Sequence, residues 1–380
     1  MLDAVYDYQR LRAEVQPGDL ASDGPGHWRY RRLMPLRLST PMPPLAVGWT
    51  PLYEAPRLAR DLGVRRLWVK DDGRNPTGSL KDRASSLVLA VARERGEPVV
   101  TTASTGNAAA ALAGLAAAFG QRTVIFVPER APRAKVAQLV AYGARVLLVR
   151  GNYDVAFELC LKVAHTFGWY CRNTGYNPYT AEGKKTAALE LAEQMGWRVP
   201  DWVVVPVGDG NIITGVHRGF QDLYHLGWID RLPRLLGVQA TGAAAVVEAW
   251  SAGLDAPRAV QASTVADSIA SDLPRDGRRA LRAVRETGGA CVAVTDDEIL
   301  AAIPQLASGC GVFAEPAAAA TLAGLRRALR DGVIEADAEV ALLVTGNGLK
   351  DVDSLLRVAE TPPVIEPDLA EVERAAADLL

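Results

Sequence analysis

Asn75-Pro76-Thr77-Gly78-Ser79-Leu80-Lys81-Asp82-Arg83 sets one lysine behind a turn and at the mouth of a helix. Asn-Pro and Thr-Gly are turn signals, and Ser79 is the expected N-cap for the apolar run from Ala84 to Val91. Lys81 then falls in the first helical turn, where a cation opposes the helix dipole. In a confined, positive setting such a lysine has a lowered pKa and attacks a carbonyl to form a Schiff base. A surface lysine paired with Asp82 or Asp72 is the alternative, and the nonapeptide alone leaves both open.

Outward from this stretch, short β-branched runs alternate with helix-period segments, the pattern of a parallel α/β architecture. Strands are expected at 66–70, 98–102, 123–128, 145–150, 202–207, 235–239, 290–294 and 340–345. Helices are expected at 106–119, 135–142, 154–167, 182–194 and 315–329. The first of these is almost entirely Ala, Gly and Leu, which suits close approach to neighbouring backbone. A chain of 380 residues exceeds what one core supports, about 250–300 residues, and two lobes are expected. Residues 10–44 are the least regular part, with no role assigned by the sequence.

A net charge of −2 gives no reason to expect nucleic acid or an anionic membrane as partner. The cysteines Cys160, Cys171, Cys291 and Cys310 are far apart and lack a nearby histidine cluster, so neither a metal site nor a disulfide framework is expected. No apolar signal core opens the chain and no apolar run approaches ~20 residues. A cytoplasmic setting is the expectation.

Three further glycine-bearing turns each follow an apolar run. Thr102-Ala103-Ser104-Thr105-Gly106-Asn107 opens the Ala-rich helix, where hydroxyls and N–H groups suit a carboxylate, although plain capping explains the turn equally. Val207-Gly208-Asp209-Gly210-Asn211-Ile212-Ile213 would converge N–H groups on a phosphate; it has neither GxGxxG spacing nor a Walker lysine, which weakens a nucleotide reading. Thr345-Gly346-Asn347-Gly348-Leu349-Lys350-Asp351 has glycines at alternate positions, as close approach of something flat would require. Strand ends are where α/β folds bind ligands.

The order of these motifs resembles the fold type II pyridoxal-phosphate enzymes, and most closely the threonine synthase family. The matching pieces are 75–83, 103–107, Gly151-Asn152-Tyr153-Asp154, Glu182-Gly183 with Lys185-Thr186, 207–211, Glu315-Pro316-Ala317 and 345–351, covering the chain from about Thr50 onward. The resemblance implies two parallel-sheet α/β domains with the cofactor in the cleft between them. Residues 1–84 and 197–380 would form the larger domain, with 1–44 as its irregular segment, and 85–196 a smaller mobile one. It implies a homodimer acting on a small amino-acid substrate. Lys81 would carry the cofactor and shuttle protons, Asn107 would hold the ring oxygen, and Thr345 would face the pyridine nitrogen. Gly208, Asp209, Gly210, Asn211 and Ile212 would cradle the cofactor phosphate. Ser104 and Thr105 would grip the substrate carboxylate.

The sequence departs from that family at two arginine positions, occupied here by Thr180 and Ala270. The family uses such arginines for the phosphoryl group of O-phosphohomoserine, so Lys184 becomes the candidate substitute, Ser271 a further substrate-binding residue, and an arginine restored at Thr180 is expected to raise turnover. The implied reaction is O-phosphohomoserine and water to threonine and phosphate. Elimination or β-replacement on another hydroxy or phospho amino acid, as in serine or threonine ammonia-lyases and cysteine or cysteate synthases, is the rival. A non-catalytic sensor would need no proton-shuttling lysine.

Overall fold

The computed structural model describes residues 2–104, 106–131, 133–359 and 361–377, and contains two sheets. In chain order the strands are β1 (Leu52–Glu54), β2 (Arg66–Asp71), β3 (Val99–Ala103), β4 (Arg122–Pro128), β5 (Arg145–Val149), β6 (Tyr170–Cys171), β7 (Trp202–Pro206), β8 (Arg234–Ala240), β9 (Ala290–Val294) and β10 (Glu339–Val344). The larger sheet runs β1-β2-β10-β7-β8-β9 and the smaller β5-β4-β3-β6. Every pairing is parallel except β1 with β2.

The all-buried run Trp202-Val203-Val204-Val205-Pro206 explains the centre of the larger sheet. Its period of two sends Val203 and Val205 into one apolar cluster, with Phe220, Leu223 and Leu281, and Val204 into another, with Leu236 and Leu322. A strand covered on both faces reads as a continuous apolar run. The smaller sheet is built the same way. Val100 packs with Leu112 and Leu115 of the Ala-rich helix (Asn107–Phe119), while Phe126 packs with Phe157 of the helix Tyr153–Phe167 on the opposite face.

Eight expected strands fall within a residue or two of observed ones; β1 and β6, three and two residues long, carry too little pattern to be read. The expected helix 182–194 is two helices, Tyr179–Lys184 and Thr186–Gln194. They divide at Lys185, where the Thr186 hydroxyl donates to the Gly183 carbonyl.

The N-terminal region proves to be part of the main core. Val15, Leu20, Trp28, Tyr30 and Leu33 are buried in the cluster that includes Val203 and Phe220. Each such side chain contributes roughly 1.5–3 kcal/mol of transfer energy. The hydroxyls of Tyr6 and Tyr8 donate to Glu182 at 2.5 Å and to Asp222 at 2.6 Å.

Candidate active site

The Lys81 helix, Lys81–Glu94, starts without the cap that the sequence suggests. Ser79 does not cap it: Leu80 is the N-cap residue and the Ser79 hydroxyl is buried without a partner. Asp82 does the bracing instead. Its carboxylate accepts from the Thr77 N–H at 2.7 Å and the Thr77 hydroxyl at 2.5 Å, closing the turn from inside the helix. Burial raises its pKa to about 6 despite those bonds.

Neither acid expected as a surface partner reaches Lys81. Asp72 takes the Arg83 guanidinium at 2.6 and 2.8 Å. Arg83 also donates to Glu190 at 2.6 and 2.7 Å, and Lys70 donates to Glu190 at 2.8 Å, all fully buried. This network anchors the Lys81 helix to β2 and to the helix Thr186–Gln194. On the other side, Leu80 N–H donates to the Thr345 carbonyl at 2.9 Å, so the end of β10 fixes the residue before the lysine.

Lys81 lines a cavity of about 330 Å³ at the C-terminal ends of β3 and β7. Ser104, Asn107, Gly208, Asp209, Ile212 and Ser271 line the same cavity, together with Arg172 and Tyr153. A neighbouring cavity of about 480 Å³, floored by the 75–78 turn, Glu315 and Asn347, shares Gly106, Asn107, Asp267 and Ser268 with it. Burial lowers the Lys81 pKa, with Asp209 opposing and Arg172 reinforcing the shift.

Gly210 and Asn211 stand behind the wall. Gly210 has φ +90° and precedes the helix Asn211–Leu226; a Cβ there would meet the Asp276 carbonyl oxygen at 2.9 Å. The Asn211 side chain is turned away, accepting from Lys184 Nζ and donating to Asp276, while its N–H donates to Asp209 Oδ1 at 3.0 Å. Lys184 is therefore a buried basic group beside this helix start. Burial, then the charge of Lys81, pushes its pKa well down. Thr345 lies at the end of β10, outside the lining of either cavity. Thr105 falls outside the described residues.

Asn107 bridges the two sheets: its amide nitrogen donates to both Glu315 oxygens at 2.9 Å. Glu315 also explains Gly346, since a Cβ on Gly346 would sit 2.4 Å from its carboxylate. What approaches Gly346 and Gly348 from within the protein is thus Glu315 and the Phe313 ring. Thr180 is fully buried, its hydroxyl donating to the Asn177 carbonyl at 2.7 Å, and lies outside both cavity linings. Sequence reasoning assigns no role to Arg172, whose single position between Cys171 and Asn173 carries no local pattern.

The donor set suits a phosphorylated ring. A helix start with a left-handed glycine stands beside the amines of Lys81 and Lys184, with Asp209 near both, and suits an added phosphate.

The chain matches the family described as pyridoxal-phosphate dependent enzyme over residues 44–346. It is 38% identical to a threonine synthase of Methanocaldococcus jannaschii, covering all of this chain and 94% of that one. Against a threonine synthase of Methanosarcina acetivorans the figures are 39%, 99% and 92%. Among solved structures, maize serine racemase superposes with a TM-score of 0.69 at 24% identity, covering 81% of this chain and 90% of that one, a likeness of fold. The processed form of threonine deaminase isoform 2 from Solanum lycopersicum gives 0.68 at 22%, covering 86% and 87%, again a likeness of fold. Near-full-length identity to threonine synthases and a lysine held in a polar cleft between two parallel sheets agree: this chain belongs to the threonine synthase family of pyridoxal-phosphate dependent enzymes.

Proposed function

We propose that the protein converts O-phosphohomoserine and water to threonine and phosphate, as a cytoplasmic homodimer. The observation that carries this reading is Lys81, unpaired with Asp72 or Asp82 and lining the cavity with a lowered pKa, in a chain resembling threonine synthases along its whole length. Residues 85–196, which contain the smaller sheet, are taken as the mobile lobe that closes on substrate and excludes water.

The cofactor, when bound, withdraws electron density from the substrate's α-carbon. Lys81 would hold it, the 208–212 turn and Lys184 would take its phosphate, Asn107 its ring oxygen, and Thr345 would stand toward its ring nitrogen. Once the substrate's own amine takes its place, the freed Lys81 amine would accept the proton from the α-carbon and return it later, a task favoured by burial, which enlarges the neutral fraction. The hydroxyls of the 104–105 turn would orient the substrate carboxylate, and Ser271 would face the side chain from the opposite wall.

The residues Thr180 and Ala270 favour a second reading, in which the same lysine performs elimination or β-replacement on serine, threonine or phosphoserine. Phosphate release from O-phosphohomoserine, measured beside ketoacid formation from those three, separates the two. Ketoacid without threonine or phosphate from O-phosphohomoserine would refute the first.

A further inference from the structure

Arg172 is a buried cation of the Lys81 cavity to which the proposed reaction has assigned nothing. It follows β6 directly, and its N–H donates to the Thr101 carbonyl at 2.7 Å, fixing where the side chain departs. The residue is 0% exposed, yet it lines the cavity. Nε donates to the Ser85 hydroxyl at 3.2 Å and Nη1 to the Thr174 hydroxyl at 2.8 Å, while Nη2 has no partner. Two neutral oxygens thus orient the guanidinium and leave Nη2 buried and unpaired.

Three other buried basic side chains are paired differently. Arg83 has Asp72 and Glu190, Lys70 has Glu190, and Lys185 has Glu182 and Asp222. Among the described residues no carboxylate lies within ion-pair distance of Arg172. Burial without such a partner is unfavourable, and arginine does not relieve it by losing its proton. Asp209, on the same cavity wall, offsets part of that cost, and the guanidinium, drawn down only to about 10 by burial, stays charged at neutral pH. Such a group is retained where an anion arrives to complete it.

We propose that Arg172 binds a phosphoryl group on the substrate's side chain and so selects phosphorylated amino acids. This rests on the reading of the protein as a threonine synthase, and supplies the arginine that Thr180 and Ala270 lack. In the reading above the cofactor phosphate takes Lys184, whose amine donates to Asn211 at the start of the Asn211 helix. The substrate carboxylate has the Ser104 turn. Arg172 is left for the third anion.

The test compares wild type with Arg172→Gln and Arg172→Lys as holoproteins. The kcat/KM ratio of O-phosphohomoserine to threonine (as a deamination substrate) should fall at least 100-fold in Arg172→Gln. It should fall at least tenfold in Arg172→Lys, which keeps charge but loses the planar fork. The dissociation constant for pyridoxal phosphate should stay within twofold. A tenfold weaker cofactor with an unchanged ratio would assign Arg172 to the cofactor phosphate and overturn the proposal, as would unchanged kinetics. Should the arginine variants not fold, Thr174→Val removes only the hydroxyl that orients Nη1, and the KM for O-phosphohomoserine should then rise at least fivefold; no rise overturns it. Calorimetric binding of inorganic phosphate to the holoprotein separates this inference from the reading beneath it. Arg172-dependent phosphate binding without O-phosphohomoserine turnover sinks the reaction and keeps the anion site. Turnover with phosphate binding indifferent to Arg172 does the reverse.

Discussion

Glu190→Gln is the most informative perturbation of the scaffold that holds Lys81. The Glu190 carboxylate is fully buried and accepts from Arg83 at 2.6 and 2.7 Å, from Lys70 at 2.8 Å, and from the Trp49 and Thr50 N–H groups at 2.6 and 3.3 Å. Glutamine keeps the shape and removes the charge, leaving two buried cations to share Asp72. Removing one partner from a buried ionic cluster costs about 3–5 kcal/mol, which sets the expected loss at pH 7. Burial pushes the Glu190 carboxyl up, but the charges of Arg83 and Lys70 outweigh it and hold the group well below the usual carboxylate range. A group with a depressed folded pKa stabilises above its unfolded value, about 4.3, and loses that contribution as pH falls from there toward the folded pKa. Urea unfolding at fixed pyridoxal phosphate concentration, at pH 7 and stepwise down to about pH 2, measures both effects. The variant should begin lower and have a shallower acid limb, so the two curves converge. A loss under about 1 kcal/mol at pH 7, or parallel acid limbs, would refute the assignment of Glu190 as the ionised centre of the network.

Wild-type protein should be yellow with bound pyridoxal phosphate; Lys81→Ala should lose that colour and at least ~10³-fold in kcat, read by absorbance and phosphate release. Gly346→Ala would drive a Cβ into the Glu315 carboxylate, 2.4 Å away, and should weaken cofactor binding at least tenfold by breaking the Asn107 bridge, measured by titration of the cofactor-free protein. Thr180→Arg, which sequence reasoning expects to raise turnover, has the opposite expected sign in the structure. The site is fully buried and hydrogen-bonded, so overpacking should destabilise by about 1–3 kcal/mol in thermal or urea unfolding, with no gain in O-phosphohomoserine turnover.

Much of the architecture is legible because a central parallel strand needs apolar residues on both faces, and the 202–206 run satisfies that locally. Lys81, Ser104, Gly208, Asp209 and Ser271 come together at one cavity, and the turns bearing the first four are marked in the sequence by glycines and hydroxyls near strand ends. The helix cap is not legible. Ser79 has the right residue type, but Asp82 makes the bonds that close the turn, and residue type alone does not say which oxygen arrives. Arg172 is invisible for a different reason. Its meaning lies in what it lacks, an anion in three dimensions, and spacing along a chain does not report an absent neighbour. The N-terminal region, irregular in sequence, packs through residues distant along the chain and so has no local period to detect.

That last feature bears on how the protein is made. Tyr6 and Tyr8 find their acceptors 176 and 214 residues further on. At roughly 5–20 residues per second, Tyr8 leaves the ribosome some 10–40 s before Asp222 exists. For that interval Leu20, Trp28, Tyr30 and Leu33 lack the cluster members still to be made, among them Leu223, Leu281 and Leu343. A stretch synthesised early is thus among the last to be covered. Chaperone dependence and aggregation on rapid overexpression should track this opening segment more than the Lys81 cleft, where local contacts between the turn and its own helix form within a few residues.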